Sequence, residues 1–205
     1  MKALVRPAGR GEHHGVTIVR TDPDHHLDTT RDALRRTADA WEHALTAAID
    51  HDVREARLVM RGAPSRRSVL RCAHQQLQWA ESPHRRDAPR RATPLDVVSD
   101  LVRMNRQLSQ LSQSIIAAPE VAGLDARERA AVDVARRIGA QRLQVFAGSM
   151  PRPRIDREYV AAGHDLLDAL ADLAESRPSR GSTSDACLGL VVTLVETSRH
   201  ATRVA

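Results

Sequence analysis

Only four of the 205 residues are Phe, Trp or Tyr: Trp41, Trp79, Phe146 and Tyr159. A β-sandwich or barrel fills the space between its sheets with aromatic and β-branched residues, whereas this chain offers mainly Ala, Leu, Val and Arg. The scarcity of rings therefore predicts an all-helical protein. It also argues against the ring-stacking platforms on which RNA-recognition sheets and single-strand binders depend. At about 100–200 residues per domain, a chain of 205 is one domain or two small repeats sharing a core.

Apolar spacing and helix-end residues divide the chain into six helical stretches. Thr29 followed by Asp32 resembles a capping box, and Leu34, Ala38, Trp41, Leu45 and Ala48 recur at three and four to about residue 49. Asp52 and Glu55 restart the pattern, and residues 52–81 read as one helical arm interrupted at Gly62 and Pro64. Residues 82–91 hold Pro83, Pro89 and four arginines and read as a loop. Thr93-Pro94-Leu95-Asp96 is a strong helix start, with an N-cap, a proline where it costs no hydrogen bond and an early acid. That helix carries Leu95, Val98, Leu101, Val102, Asn105, Leu108, Leu111 and Ile115 to about residue 117. Further helices are predicted near 125–149, 156–176, with Val160, Leu166, Leu167, Leu170 and Leu173 apolar, and 185–204.

The expected fold is a tandem pair of antiparallel three-helix bundles. Residues 28–118 form the first repeat and 119–205 the second, after a poorly ordered extension over 1–27 that includes a short β-favouring run at 15–19.

The net charge of +5 and an isoelectric point near 10.4 look like a nucleic-acid signature. Lys2 is the one lysine, however, so the isoelectric point reflects arginine chemistry. The charge is also local: residues 61–91 hold eight arginines against Glu81 and Asp87, while residues 93–205 balance at 14 of each sign. Arg66, Arg67, Arg71, Arg85, Arg86, Arg90 and Arg91 are the candidate partner-binding residues, against the plainer reading of a solvated face and loop. Nucleic acid is not the expected partner.

Cys72 and Cys187 lack any CxxC or Cys/His pattern and read as small core residues of a reducing compartment. No apolar run reaches 18 residues and Lys2 and Arg6 break the start, so neither a membrane span nor a signal peptide is expected and the predicted location is cytoplasmic. Catalytic signatures are missing: there is no GxSxG, no GxxxxGK[ST], and no GxGxxG after a strand. Asp50-His51-Asp52 has acid/base letters but falls at a helix junction where Asp serves as a cap. Glu81 and His84 have the ExxH spacing of di-iron bundles, yet Pro83 lies between them. Glu196 and His200 offer two ligands on a single helix, and His13, His14, His25 and His26 sit in a polar tail. No catalytic residue, cofactor or metal site is expected.

Residues 29–205 resemble the PhoU family, accessory regulators of bacterial phosphate uptake built from two three-helix repeats. The likeness lies in the third helix of each repeat: Ala92-Thr93-Pro94-Leu95-Asp96-Val97-Val98 and Met104 through Gln113 in the first, and Cys187-Leu188 with Val195-Glu196-Thr197-Ser198-Arg199-His200-Ala201 in the second. The family places a Glu and an Asp one turn apart in each of these helices. Here those positions are Ser109 and Gln113, then Val195 and Arg199, so the fold carries over and the metal cluster does not.

The resemblance implies a non-enzymatic cytoplasmic adaptor in phosphate-responsive signalling. Its partner would be the phosphate transporter's ATPase or a membrane histidine kinase, and it would often be a homodimer. The competing class is a helical DNA-binding regulator of the tetracycline-repressor kind. It matches in length, helix content and basicity, but residues 29–62 show no tripartite helix-turn-helix and only Trp41 as an aromatic.

Overall fold

The computed structural model describes residues 23–80, 93–118, 123–150, 157–176 and 182–203. Among them are six α-helices and no strand: α1 (Pro23–Asp50), α2 (Val53–Ala80), α3 (Pro94–Ala117), α4 (Ala126–Ser149), α5 (Arg157–Glu175) and α6 (Thr183–Arg203). The all-helical expectation holds, and from α2 onward boundaries read from caps and prolines fall within a few residues of those observed. Glu81, His84, the arginines of the 82–91 loop and the 15–19 run lie outside the described residues.

Three expectations need correction. Residues 23–27, assigned to the N-terminal extension, already belong to α1, with Pro23 as its first residue. Proline there gives up an N–H that the first turn does not use, so Thr29 lies inside the helix instead of capping it. Second, α2 is continuous through Gly62 and Pro64. Pro64 lies on the exposed side, where water can satisfy the carbonyl its missing N–H leaves free. A single line of Ala56, Val59, Ala63, Leu70, Ala73 and Leu77 is buried along the whole helix; that burial outweighs a helix-interior proline penalty of about 3 kcal/mol. Third, Cys72 is exposed while Cys187 is buried, because Cys72 falls on the outward side of α2, next to the buried Ala73.

The chain reverses between α1 and α2 in two residues. His51 takes a left-handed conformation, φ 53°, and the Asp52 N–H donates to the Ala47 carbonyl at 3.2 Å, a six-residue closure typical of helix C-termini. The Asp52 carboxylate then caps α2 by accepting from the Arg54 N–H at 2.7 Å. Asp50-His51-Asp52 is thus a turn. Likewise, Asp125 accepts from the Glu128 N–H at 2.8 Å while Glu128 accepts from the Asp125 N–H at 3.0 Å, the reciprocal box that starts α4.

Helix α1 is the central element. Ala33, Leu34, Ala38, Ala40, Trp41, Ala44, Leu45, Ala47 and Ala48 are all buried, so about half of its circumference is covered, by α2, α3 and α4, while Arg35, Arg36, Asp39 and Glu42 stay exposed on the other side. Small side chains let neighbouring helices come close. Trp41 is the one aromatic group buried in this alanine-rich helix; its indole N–H donates to the Ala135 and Arg136 carbonyls of α4, each at 3.2 Å. It lies over Gly139, where an added Cβ would meet the indole at 2.5 Å.

Helix α1 runs antiparallel to α4. Arg31 donates to the Met150 carbonyl at 2.8 Å at one end, and His51 lies against Gly123 at the other. Helices α3 and α6 form a second antiparallel seam, with Asp100 against His200 at 2.7 Å, Arg103 paired with Glu196, and the Thr193 hydroxyl donating to the Gln107 side-chain carbonyl at 2.9 Å. Outside these two seams, α2 lies on α1 and α3, and α5 lies on α4 and α6.

Candidate functional site: a cationic groove between α2 and α3

Helices α2 and α3 pack against α1 with one side and leave an open groove of about 790 Å³ on the other. Its walls repeat at helical spacing: Met60, Ala63, Arg67, Leu70, Arg71, His74 and Gln78 from α2 face Val102, Asn105, Arg106, Ser109, Gln110 and Gln113 from α3. Ala63, Leu70 and Asn105 are buried and form the floor, while Arg67, Arg71 and Arg106 stand exposed on the rim. No carboxylate lines the groove. None of the three rim arginines has an ion-pair partner among the described residues. The groove is therefore an apolar trough edged by guanidinium and amide groups, suited to an elongated, acidic, partly apolar ligand.

Beneath it lies a buried guanidinium. Arg66, only 6% exposed, donates from Nε to the Asn105 side-chain carbonyl at 2.7 Å and from Nη2 to the Val59 carbonyl at 2.9 Å. Burial, and then the neighbouring Arg67 charge, lower its pKa to about 10, which still leaves a cation at neutral pH. Room for it comes from Gly62, where a Cβ would sit 2.6 Å from Nη1. A buried charge without a carboxylate partner is costly unless its donors are satisfied. Asn105 is the side chain that does so, which is why a polar residue interrupts the apolar stripe of α3.

The seven sequence-predicted arginines separate. Arg67 and Arg71 stand on the groove rim, Arg66 lies buried below it, and Arg85, Arg86, Arg90 and Arg91 fall outside the described residues. Sequence reading passed over Arg106, the third rim arginine, and His74, which lines the groove beside Arg71. Their only signal was position, three or four residues from groove-facing neighbours on each helix.

The residues on which the resemblance would place carboxylate pairs do not converge. Ser109 and Gln113 face the α2 side and line the groove, whereas Val195 packs against the core and Arg199 is exposed. Glu196 and His200 are engaged by Arg103 and Asp100 of α3. Among the described residues no group of three or more His, Cys, Asp or Glu is placed to hold a metal ion, and no helix is long and apolar enough to cross a membrane.

At the opposite end of the molecule Arg142 of α4, 7% exposed, donates to the Tyr159 carbonyl at 2.9 Å and stacks 4.3 Å from the Tyr159 ring centroid. Its burial against α5 is allowed by Gly163, where a Cβ would meet Nη2 at 2.7 Å. The Tyr159 phenol pKa is raised, chiefly by burial. This is an internal packing feature.

No protein-family model, curated protein or solved structure matches this chain.

Proposed function

We propose that the chain is a non-enzymatic regulatory adaptor of PhoU-like design, a tandem pair of three-helix bundles that acts in phosphate-responsive signalling by docking on a partner protein. The observation carrying this reading is the pairing across the middle of the molecule. First helix meets first, α1 with α4, and third meets third, α3 with α6, each pair antiparallel. Two repeats related by an approximate two-fold axis meet through equivalent elements in this way, as identical subunits do in a symmetric dimer.

The second helices, α2 and α5, are then the outward-facing members, and the α2–α3 groove is the docking surface. Its arginines suit an acidic segment of a phosphate transporter's ATPase subunit or of a membrane histidine kinase. The DNA-binding alternative gains nothing from the described residues: α1 and α2 are 28 residues each, unlike the short helices of a helix-turn-helix.

Deleting the gene tests the proposal. A phosphate-starvation reporter is expected to stay on in phosphate-replete cells, and restoring the wild-type chain, but not a chain carrying Arg67→Glu, Arg71→Glu and Arg106→Glu, is expected to switch it off. A reporter that responds normally in the deletion strain overturns the proposal.

A further inference from the structure

Helix α5 is the electrostatic opposite of α2. It carries Glu158, Asp165, Asp168, Asp172 and Glu175 against the single Arg157, whereas α2 carries six arginines against Glu55. Asp172 and Glu175 are used by Arg127, at 2.7 and 2.6 Å, and these hydrogen bonds raise the Arg127 pKa. Glu158, Asp165 and Asp168 have no ion-pair partner among the described residues.

A second exposed edge of the helix is apolar. The sequence pattern placed Val160 and Leu167 with the core residues of this helix, but the structure corrects this. The buried line is Leu166, Ala169 and Leu173, while Val160 and Leu167 are 48% and 46% exposed. With Ala171 and Ala174, also exposed, they follow helical spacing along the solvent side, a separate edge about 100° or more round the helix from the free acids.

We propose that the α2–α3 groove of one copy of this protein receives the acidic outer face of α5 from a second copy, Arg67, Arg71 and Arg106 facing Glu158, Asp165 and Asp168. Charge sign matches: three unpaired guanidiniums on the rim meet three unpaired carboxylates. The lengths agree as well: Met60 to Gln78 and α5 each span 19 residues, about 28 Å of helix at 1.5 Å per residue.

The contact cannot close within one molecule, because α2 lies on α1 and α3 while α5 lies beyond the central seams on α4 and α6. The chain's remaining segments are poor occupants. Residues 1–22, with four basic residues against two acidic, and 81–92, with four arginines against two acids, share the groove's sign. Because the two surfaces differ, the contact is head-to-tail and propagates as a ring or an open chain of subunits. The inference uses the same groove as the proposed function but does not depend on the identity of the outside partner.

Sedimentation of the full chain tests it by charge exchange. Wild type is expected to associate with concentration at about 0.02 M salt and to dissociate near 1 M, where the screening length falls to about 3 Å. The groove variant Arg67→Glu/Arg71→Glu and the helix variant Asp165→Arg/Asp168→Arg each oppose like charges, so each alone is expected to associate about tenfold or more weakly. Mixed together, or combined in one chain, they face opposite charges again and are expected to recover association.

Circular dichroism of each variant checks that the fold is retained. A wild type that stays monomeric at low salt, or variants whose mixture fails to recover, overturns the self-contact. If the groove variant at the same time fails to restore phosphate control in the deletion strain, the adaptor reading stands without it. Recovery on mixing, together with normal phosphate control in the deletion strain, supports the self-contact and overturns the adaptor reading.

Discussion

Helices α2 and α5 each lie outside the two central seams, yet they are held differently. Helix α2 buries residues along its full length, from Ala56 to Leu77, and its buried cation Arg66 is anchored by the Asn105 side chain. Helix α5 buries only Leu166, Ala169 and Leu173, and the cation beneath it, Arg142, makes one hydrogen bond and a ring contact, with Nε lacking a partner among the described residues. A shared architectural position thus fixes neither charge nor depth of burial. What the two helices share is a glycine that makes room for a guanidinium, Gly62 in one case and Gly163 in the other.

The largest expected effect concerns what both helices hang from. Gly139→Ala drives a methyl into the buried Trp41 indole, a rigid neighbour, and is expected to cost about 2–3 kcal/mol even after the helix-propensity gain of alanine. Urea melts followed at both ends should then shift together; a shift at one end only breaks the picture of a common central pair.

Next in size is the contrast between the two cations. Asn105→Leu strands Arg66 and should lose about 2 kcal/mol, whereas Arg66→Met with Asn105→Leu together should lose less than about 1 kcal/mol, because replacing both partners leaves no buried donor unpaired. Arg142→Met, removing a guanidinium already short of one partner, should cost about 1 kcal/mol. Equal losses for Asn105→Leu and Arg142→Met in chemical denaturation would erase the distinction between the two ends.

The smallest effect is read at the cysteines. Alkylation followed by mass spectrometry should modify Cys72 on the open side of α2 in the native protein and Cys187 only when α6 opens. Burial, with Glu128 adding to it, pushes the Cys187 thiol up to about 12. In the unfolded chain this thiol ionises near its ordinary value, so the stability it contributes is complete below that value and is lost as pH rises towards 12. The urea midpoint should accordingly fall slightly between about pH 7.5 and about pH 9, and Cys187→Ala should remove that fall.

Much of this fold was legible because its punctuation is local. Prolines, N-cap acids and three-to-four spacing act within one turn, so Thr93-Pro94 and Asp125 located their helices closely. Three features were not legible for a common reason: they depend on which side of a helix meets a neighbour. Pro64 suggested a break that long-range burial overrode. Val160 and Leu167 have core-type side chains, yet α5 touches neighbours on one narrow face. In the arginine run, Arg66 and Arg67 are adjacent in sequence and take opposite fates, one buried on an asparagine and one on the groove rim. Only the arrival of α3 separates them.

The alanine-rich α1 has a consequence for how the chain is made. Its cover comes partly from α4, whose last residue, Ser149, follows the end of α1 by about 100 residues. At a synthesis rate of about 5–20 residues per second, the side of α1 that bears Trp41 waits roughly 5–20 seconds on the ribosome before the helix that receives its indole exists. During that interval α2 and α3 can fold onto the nascent helix while its other flank stays wet, so the first half of this protein is born as a partner for the second.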